Sequence, residues 1–301
     1  MALIAIPCPI CRGSEFTPLY PATIEHPEAT DAASYFSSSR ERAGHLPIVR
    51  CRGCGLIQQR PRDDAATLAR VYRGLSDHIY DSEDSNREVD ADVHLALIKE
   101  HCPPPARLLD IGCATGLFPA RAQAGGYEVT GLDASNWAIE RARMRGSGAE
   151  FSASTLESAA FAASSYRIIT LWDVLEHVHS PVEVLDRVRH WLCPGGYLFL
   201  SLPNADSAVA KLMGKRWLLL LREHLWYFSP ATIAQLFAAN GFELVGTRPK
   251  WVSFSLANVA ARIAQYPGPL SGVGAKLAQS GLLRRAPVRF AMGEMLSLIH
   301  I

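Results

Sequence analysis

The chain has 301 residues, 49% of them hydrophobic, and a formal net charge of +1. That is enough apolar material for one full domain core plus an appended module, and the near-neutral balance removes any global attraction to nucleic acid or acidic lipid. No stretch approaches the roughly 20 apolar residues of a membrane span, and Leu3 to Ile6 lacks the basic flank of a signal peptide, so a cytoplasmic location is expected.

The 7 cysteines make an odd count, and four of them fall into the pairs Cys8-Pro9-Ile10-Cys11 and Cys51-Arg52-Gly53-Cys54. In a reducing compartment two such knuckles predict a metal site rather than disulfides. Four thiolates fill a tetrahedral zinc and leave no position for water, so the role expected of Cys8, Cys11, Cys51 and Cys54 is structural. Residues 1–62 are therefore expected to form a zinc-binding module, with a loop excursion over Ala29 to Arg42. The arginine-rich run from Arg40 to Arg73 and the acidic run from Asp77 to Asp92 read as solvated faces.

Residues 63–105 read as a helical linker or lid. A short helix starts at Pro61-Arg62-Asp63-Asp64 and runs to about Tyr72, and a second covers Asn86 to His101 with Val89, Val93, Ala96 and Leu97 on one face. The proline run Pro103 to Pro105 ends it and marks the start of a core over 106–301.

That core opens with Arg107 to Asp133, which reads as strand, tight turn, helix, strand. Gly112 to Gly116 form a small-residue turn where backbone approaches a ligand closely, and the free N–H groups of the helix to Ala124 favour an anionic group. Asp133 ends the second strand, where open α/β sheets bind ligands and where a carboxylate meets both hydroxyls of a ribose. A dinucleotide fold shares this layout. Asp110, two residues before the first glycine, repels a pyrophosphate and suits an ammonium or sulfonium group, and the GxGxxG spacing is absent.

The stretch resembles the first motif of the class I S-adenosylmethionine-dependent methyltransferases, with Ala114 in place of the middle glycine. Alanine fits turns that need no positive φ, so the substitution is expected to be mild. The chain continues in the same pattern. Ser135 caps a helix to Met144, Glu150 to Ser154 and Tyr166 to Trp172 are strands, and Trp172-Asp173-Val174-Leu175-Glu176-His177-Val178 follows the fourth. Ser180-Pro181-Val182-Glu183 starts a helix to Leu192, Pro194-Gly195-Gly196 leads into a strand over Tyr197 to Leu202, and Pro203-Asn204 closes it. This succession matches the family independently of the first motif.

The resemblance implies an α/β, Rossmann-like, seven-stranded sheet with an antiparallel last strand. Phe242 to Thr247 is then the sixth strand and Glu294 to Ile301 the seventh, with a helical insertion at about 252–288. It also implies S-adenosylmethionine as cofactor, bound by Asp110, Gly112, Ala114, Gly116 and Asp133, with Ser154, Thr155 and Leu156 at the adenine and Trp172 and Asp173 at the end of the fourth strand. The family often has an acid where Ser154 stands.

Two arrangements compete for the chemistry. His224, on the loop after the fifth strand, is placed to take a proton from the acceptor. Alternatively Asp173, Glu176 and His177, at i, i+3 and i+4, converge on a divalent ion. The second resembles the ubiquinone-pathway O-methyltransferases, in which acid-x-x-Glu-His binds magnesium. The front half, with its cysteine knuckles and the wording Cys51 to Gln58 and Pro61 to Tyr72, resembles zinc-containing methyltransferases of deoxysugar and polysaccharide pathways. That implies a small-molecule acceptor, typically a nucleotide-linked sugar, methylated on carbon or oxygen. An RNA methyltransferase and a non-catalytic cofactor-binding protein are the alternatives, and the net charge speaks against RNA.

Overall fold

The computed structural model describes residues 3–24, 44–74, 84–255 and 287–300. The front part holds β1 (Leu3–Ile4), β2 (Phe16–Tyr20), β3 (Ile48–Cys51), β4 (Ile57–Gln59) and β5 (Arg62–Asp63), followed by α1 (Ala65–Gly74) and α2 (Asp84–His101). The helix expected from Pro61 begins at Ala65, because Arg62 and Asp63 pair with β1 and Asp64 accepts from the Thr67 N–H as the cap. In α2 the buried residues are Ala91, His94, Leu95, Leu97 and Ile98, and Val89 and Ala96 are exposed. The expected face thus held at Leu97 but not at Val89 or Ala96, and the 3, 4, 7 spacing of Ala91, His94, Leu95 and Ile98 is the helical repeat. The excursion expected over Ala29 to Arg42 lies outside the described residues.

The core continues with β6 (Arg107–Ile111), α3 (Leu117–Ala124), β7 (Glu128–Asp133), α4 (Asn136–Met144), β8 (Glu150–Ala153), β9 (Tyr166–Trp172), α5 (Pro181–Trp191) and β10 (Leu192–Pro203). Then come α6 (Ala208–Met213), a 3-10 turn at Gly214–Arg216, β11 (Trp226–Tyr227), α7 (Pro230–Ala239), β12 (Glu243–Ser255) and β13 (Pro287–His300). The alternation of buried strand and amphipathic helix forces parallel neighbours with helices on both faces. The result is a 7-stranded sheet in the order β12-β13-β10-β9-β6-β7-β8. β13 is antiparallel to both β10 and β12 and sits between them, as expected. Its register pairs Tyr197 with His300 and Pro203 with Glu294.

The helix ends are set by side chains. Ser135, Ser180, Ser207 and Ser229 each accept from the backbone N–H three residues on, and Ser229 with Thr232 forms a reciprocal capping box. The last two strands run further than expected: β12 reaches Ser255 and β13 starts at Pro287, so the ends of the helical insertion placed at 252–288 are strand. The rest of that segment lies outside the described residues.

The front strands form a 4-stranded sheet, β11-β4-β3-β2, to which the core contributes β11. Leu56, Leu68 and Val71 of the front share one buried cluster with Leu175, Leu225 and Trp226 of the core. The two parts are therefore packed by the same hydrophobic contact, and the elements that meet there frame the carboxyl edge of the large sheet.

Candidate active site

The glycine-rich turn lies between β6 and α3, at the carboxyl edge of the sheet. Gly112 has φ 75 and a Cβ there would strike Val174, while Gly116 has φ 77 and a Cβ would come within 2.7 Å of Ala142. Gly116 caps α3 without a side-chain bond, so the helix presents its first N–H groups uncapped by side chains. Ala114 has φ 46. This corrects the expectation that the alanine sits where no positive φ is needed: the turn holds it in the left-handed region, at a steric cost glycine would not have.

Asp133 closes this turn. Its Oδ2 accepts from the Ala114 N–H at 2.9 Å and its Oδ1 from the Ser135 N–H at 2.8 Å, and each oxygen has a second lone pair for a hydroxyl donor. Burial pushes its carboxyl above the usual range, opposed by bonds from backbone N–H groups. Ser154, just beyond β8, donates its N–H to the Asp133 backbone carbonyl at 2.9 Å, which ties the start of the Ser154, Thr155 and buried Leu156 segment to the end of β7. Asp110 is 2% exposed and accepts from the Thr170 hydroxyl at 2.6 Å. Burial raises its pKa to about 7, with a contribution from Asp133. The structure thus gathers the expected cofactor residues Asp110, Gly112, Ala114, Gly116, Asp133, Ser154, Thr155 and Leu156 at the ends of three adjacent strands.

Trp172 and Asp173 sit one strand further on. The Trp172 ring stacks on His94 of α2, 3.8 Å between centroids and 8° from parallel. Asp173 has φ 55 and is heavily tied: its N–H bonds the Ser201 carbonyl and its carboxylate takes the Ser201 hydroxyl at 2.7 Å and the Lys250 ammonium at 2.6 Å. Burial works against its charge, but Lys250 outweighs it and holds the pKa at about 2. Lys250 also lies 3.8 Å from Glu294.

Asp173 is therefore not the third ligand of a cluster with Glu176 and His177. The structure brings His224 there instead. Glu176, His177 and His224 each offer a ligand atom within 4.8 Å of the others. Tyr72 of α1 meets His177 Nδ1 at 2.9 Å, and the two imidazole rings are edge to face at 4.7 Å. His224 Nδ1 lies 2.8 Å from the Leu219 carbonyl. A carbonyl only accepts, so Nδ1 carries the hydrogen and the basic lone pair is on Nε2. His177 is kept neutral by burial and by His224, its pKa lowered to about 3. Burial drives the Glu176 carboxyl well above its usual range, and its Oε2 has no hydrogen-bond partner among the described residues.

Sequence reasoning missed Tyr72, His94 and Lys250 as neighbours of this edge. Tyr72 closes the Pro61 to Tyr72 pattern, which said nothing of His177, and His94 and Lys250 belong to no motif; each arrives from a distant element, and Lys250 lies beyond the expected end of the sixth strand. A cleft of about 460 Å³ lined by Pro105, Arg107, Tyr127 and Glu128 lies at the opposite, amino edge and has no part in this geometry.

In the front part the four expected thiols converge. Cys8 Sγ lies 3.4 Å from Cys54 Sγ and Cys11 Sγ 3.4 Å from Cys51 Sγ, with all four atoms within 4.8 Å. A tetrahedral ion with bonds of about 2.3 Å to sulfur needs sulfurs just under 4 Å apart, so the donor set fits zinc. Gly53 permits the approach, since a Cβ there would meet Cys11 Sγ at 3.0 Å.

The sequence of residues 81–247 matches the methyltransferase-domain family. Among curated proteins the chain is 29% identical over 150 residues to the ubiquinone biosynthesis O-methyltransferase of Thiobacillus denitrificans, covering 46% of this chain and 64% of that protein. It is 30% identical over 154 residues to that of Bordetella avium, covering 47% of this chain and 64% of the relative. The match thus spans less than two thirds of these relatives. The YcgJ protein of Bacillus subtilis superimposes with a TM-score of 0.50 at 18% identity, covering 70% of this chain and 97% of that one. The chain belongs to the methyltransferase-domain family, and its sheet has the class I methyltransferase fold.

Proposed function

We propose that the chain transfers a methyl group from S-adenosylmethionine to a small-molecule acceptor, with His224 as the base. The observation that supports it is one edge of one sheet. Two acids on neighbouring strands, Asp110 and Asp133, flank a turn that only small residues can make, and an imidazole whose Nδ1 faces the Leu219 carbonyl stands across the carboxyl edge. Asp110 suits the ammonium of the cofactor's amino-acid part, Asp133 its ribose hydroxyls, and the Ser154 to Leu156 segment its base. The bound cofactor supplies a methyl group already activated by the positive sulfur. The protein's task is alignment and proton removal. With the cofactor held there, its sulfonium would supply the methyl group to the acceptor, and His224 Nε2 would take the proton that the acceptor gives up.

The acceptor class we propose is a nucleotide-linked sugar or polysaccharide precursor. The support is the cysteine module together with α1, which follows it and carries Tyr72 onto His177. We further propose that Cys8, Cys11, Cys51 and Cys54 hold a structural zinc. A metal-assisted O-methylation is a second reading, favoured by the clustering of Glu176, His177 and His224 and by the ubiquinone-pathway relatives. It differs in outcome, because a weak chelator would then abolish turnover.

The test is transfer of labelled methyl to a panel of nucleotide-linked sugars and catechols. His224→Gln is expected to lower turnover about 100-fold or more with cofactor affinity unchanged. Full activity in that variant removes His224 from the mechanism.

A further inference from the structure

Gln59 is fully buried at the end of β4, on the front side of the boundary, and its side-chain nitrogen and backbone N–H both reach across that boundary. Its side-chain NH2 donates to the carbonyls of Leu221 at 2.7 Å, of Arg222 at 3.1 Å and of His224. Its backbone N–H donates to the Leu225 carbonyl at 3.0 Å, and its Oε1 accepts from the Leu46 N–H at 3.1 Å. All partners of the nitrogen are acceptors and the partner of the oxygen is a donor, so the amide orientation is fixed by the network. Two N–H groups serving three carbonyls of one short turn hold that turn in a single shape.

That turn carries the base. His224 Nδ1 bonds back to Leu219, and the His224 N–H reaches the Leu221 carbonyl, one of the three that Gln59 gathers. Next to it Asp63 clasps Arg222 through two bonds of 2.8 Å, both residues fully buried, and β4 pairs Gln58 with Trp226. The ring of His224 is thus oriented by a loop whose conformation is dictated from the other part of the molecule. Losing the Gln59 donors takes a buried side-chain partner from the Arg222 and His224 carbonyls, while Leu221 keeps the His224 N–H and the Tyr227 hydroxyl, and an error of about 1 Å in a base costs on the order of 100-fold in rate.

We propose that Gln59 is a positioning residue: through the 221–224 carbonyls it sets the placement and tautomer of His224. The inference rests on the proposed role of His224 and extends it to the front module. Two variants test it. Gln59→Met removes both donors, and Gln59→Glu keeps the shape and the acceptor for Leu46 while replacing the donors with a carboxylate. In both, S-adenosylmethionine affinity is expected to stay within about twofold of wild type while transfer to the best acceptor of the panel falls about 10- to 100-fold. In nitrogen NMR the His224 signals, identified by their disappearance in His224→Gln, are expected to lose the Nδ1–H pattern. Lowering the pH on Gln59→Glu restores a donor as the carboxyl protonates and should bring that pattern partly back. Wild-type His224 signals and wild-type transfer in folded Gln59→Glu overturn the proposal, and that variant decides alone if Gln59→Met does not fold. The nitrogen signals need neither cofactor nor acceptor, so this outcome is separable from failure of methyl transfer itself.

Discussion

Ala114 carries a cost that can be measured. Its φ of 46 places an L-residue in the left-handed region, worth roughly 1–2 kcal/mol, while glycine there adds about 0.4–1 kcal/mol of unfolded-state entropy. The difference predicts that Ala114→Gly stabilises the protein by about 0.5–1 kcal/mol, read as a shift in the denaturant midpoint. A lower midpoint would mean the turn has no strain to relieve. Asp110 makes a second prediction. Its pKa is raised by burial from an ordinary 3.8 to about 7, so the folded cofactor-free protein keeps a proton that the unfolded chain loses first. This group therefore favours the folded state below the ordinary value and loses that contribution as pH rises to about 7. A cationic ligand requires the ionised form. Affinity for S-adenosylmethionine should then rise from pH 6 to pH 8, with about one proton released on binding at pH 6. Affinity that falls over this range would separate Asp110 from the ammonium.

Among the elements, those with purely local causes were legible. The capping serines, the Gly125-Gly126 stop and the run Tyr166 to Trp172 place their helices and strands within a residue or two. The inward face of α2 was not, Leu97 apart, because Ala91, His94, Leu95 and Ile98 include a histidine that only the Trp172 ring makes a core residue. The last two strands were underestimated since β12 and β13 extend each other by mutual pairing, a contact distant in sequence. The thiol cluster belongs at this scale, for it joins the β3–β4 hairpin to the turn at Cys8 and Cys11. Purified protein is expected to carry about one zinc per chain, and Cys51→Ser or chelation should raise hydrogen exchange in β2 to β4 before the large sheet responds. Metal-free protein with a fully protected hairpin would contradict this.

For the whole molecule, the motif residues Asp110, Gly112, Gly116 and Asp133 were readable because one βαβ unit contains them all. His177 and His224 were also named, but their meeting with each other and with Tyr72 and Lys250 was not readable, because it joins elements far apart in sequence. Tyr72 comes from α1, His177 from the loop after β9, His224 from the loop before β11 and Lys250 from β12. Among the described residues no helix is long and apolar enough to cross a membrane. The front part is joined to the core by the Gln59 bonds and the buried Asp63–Arg222 pair, so it is expected to act as a wall of the site.

The central claim is that the turn between β6 and α3 holds S-adenosylmethionine through Asp133. Titration calorimetry of the wild type and of Asp133→Ala with S-adenosylmethionine, and of the wild type with NADH, tests it most directly. The account predicts one cofactor per wild-type chain, a loss of at least about 1.5 kcal/mol in Asp133→Ala, and much weaker NADH binding. Unchanged affinity in a folded Asp133→Ala, or NADH bound more tightly than S-adenosylmethionine, would contradict it.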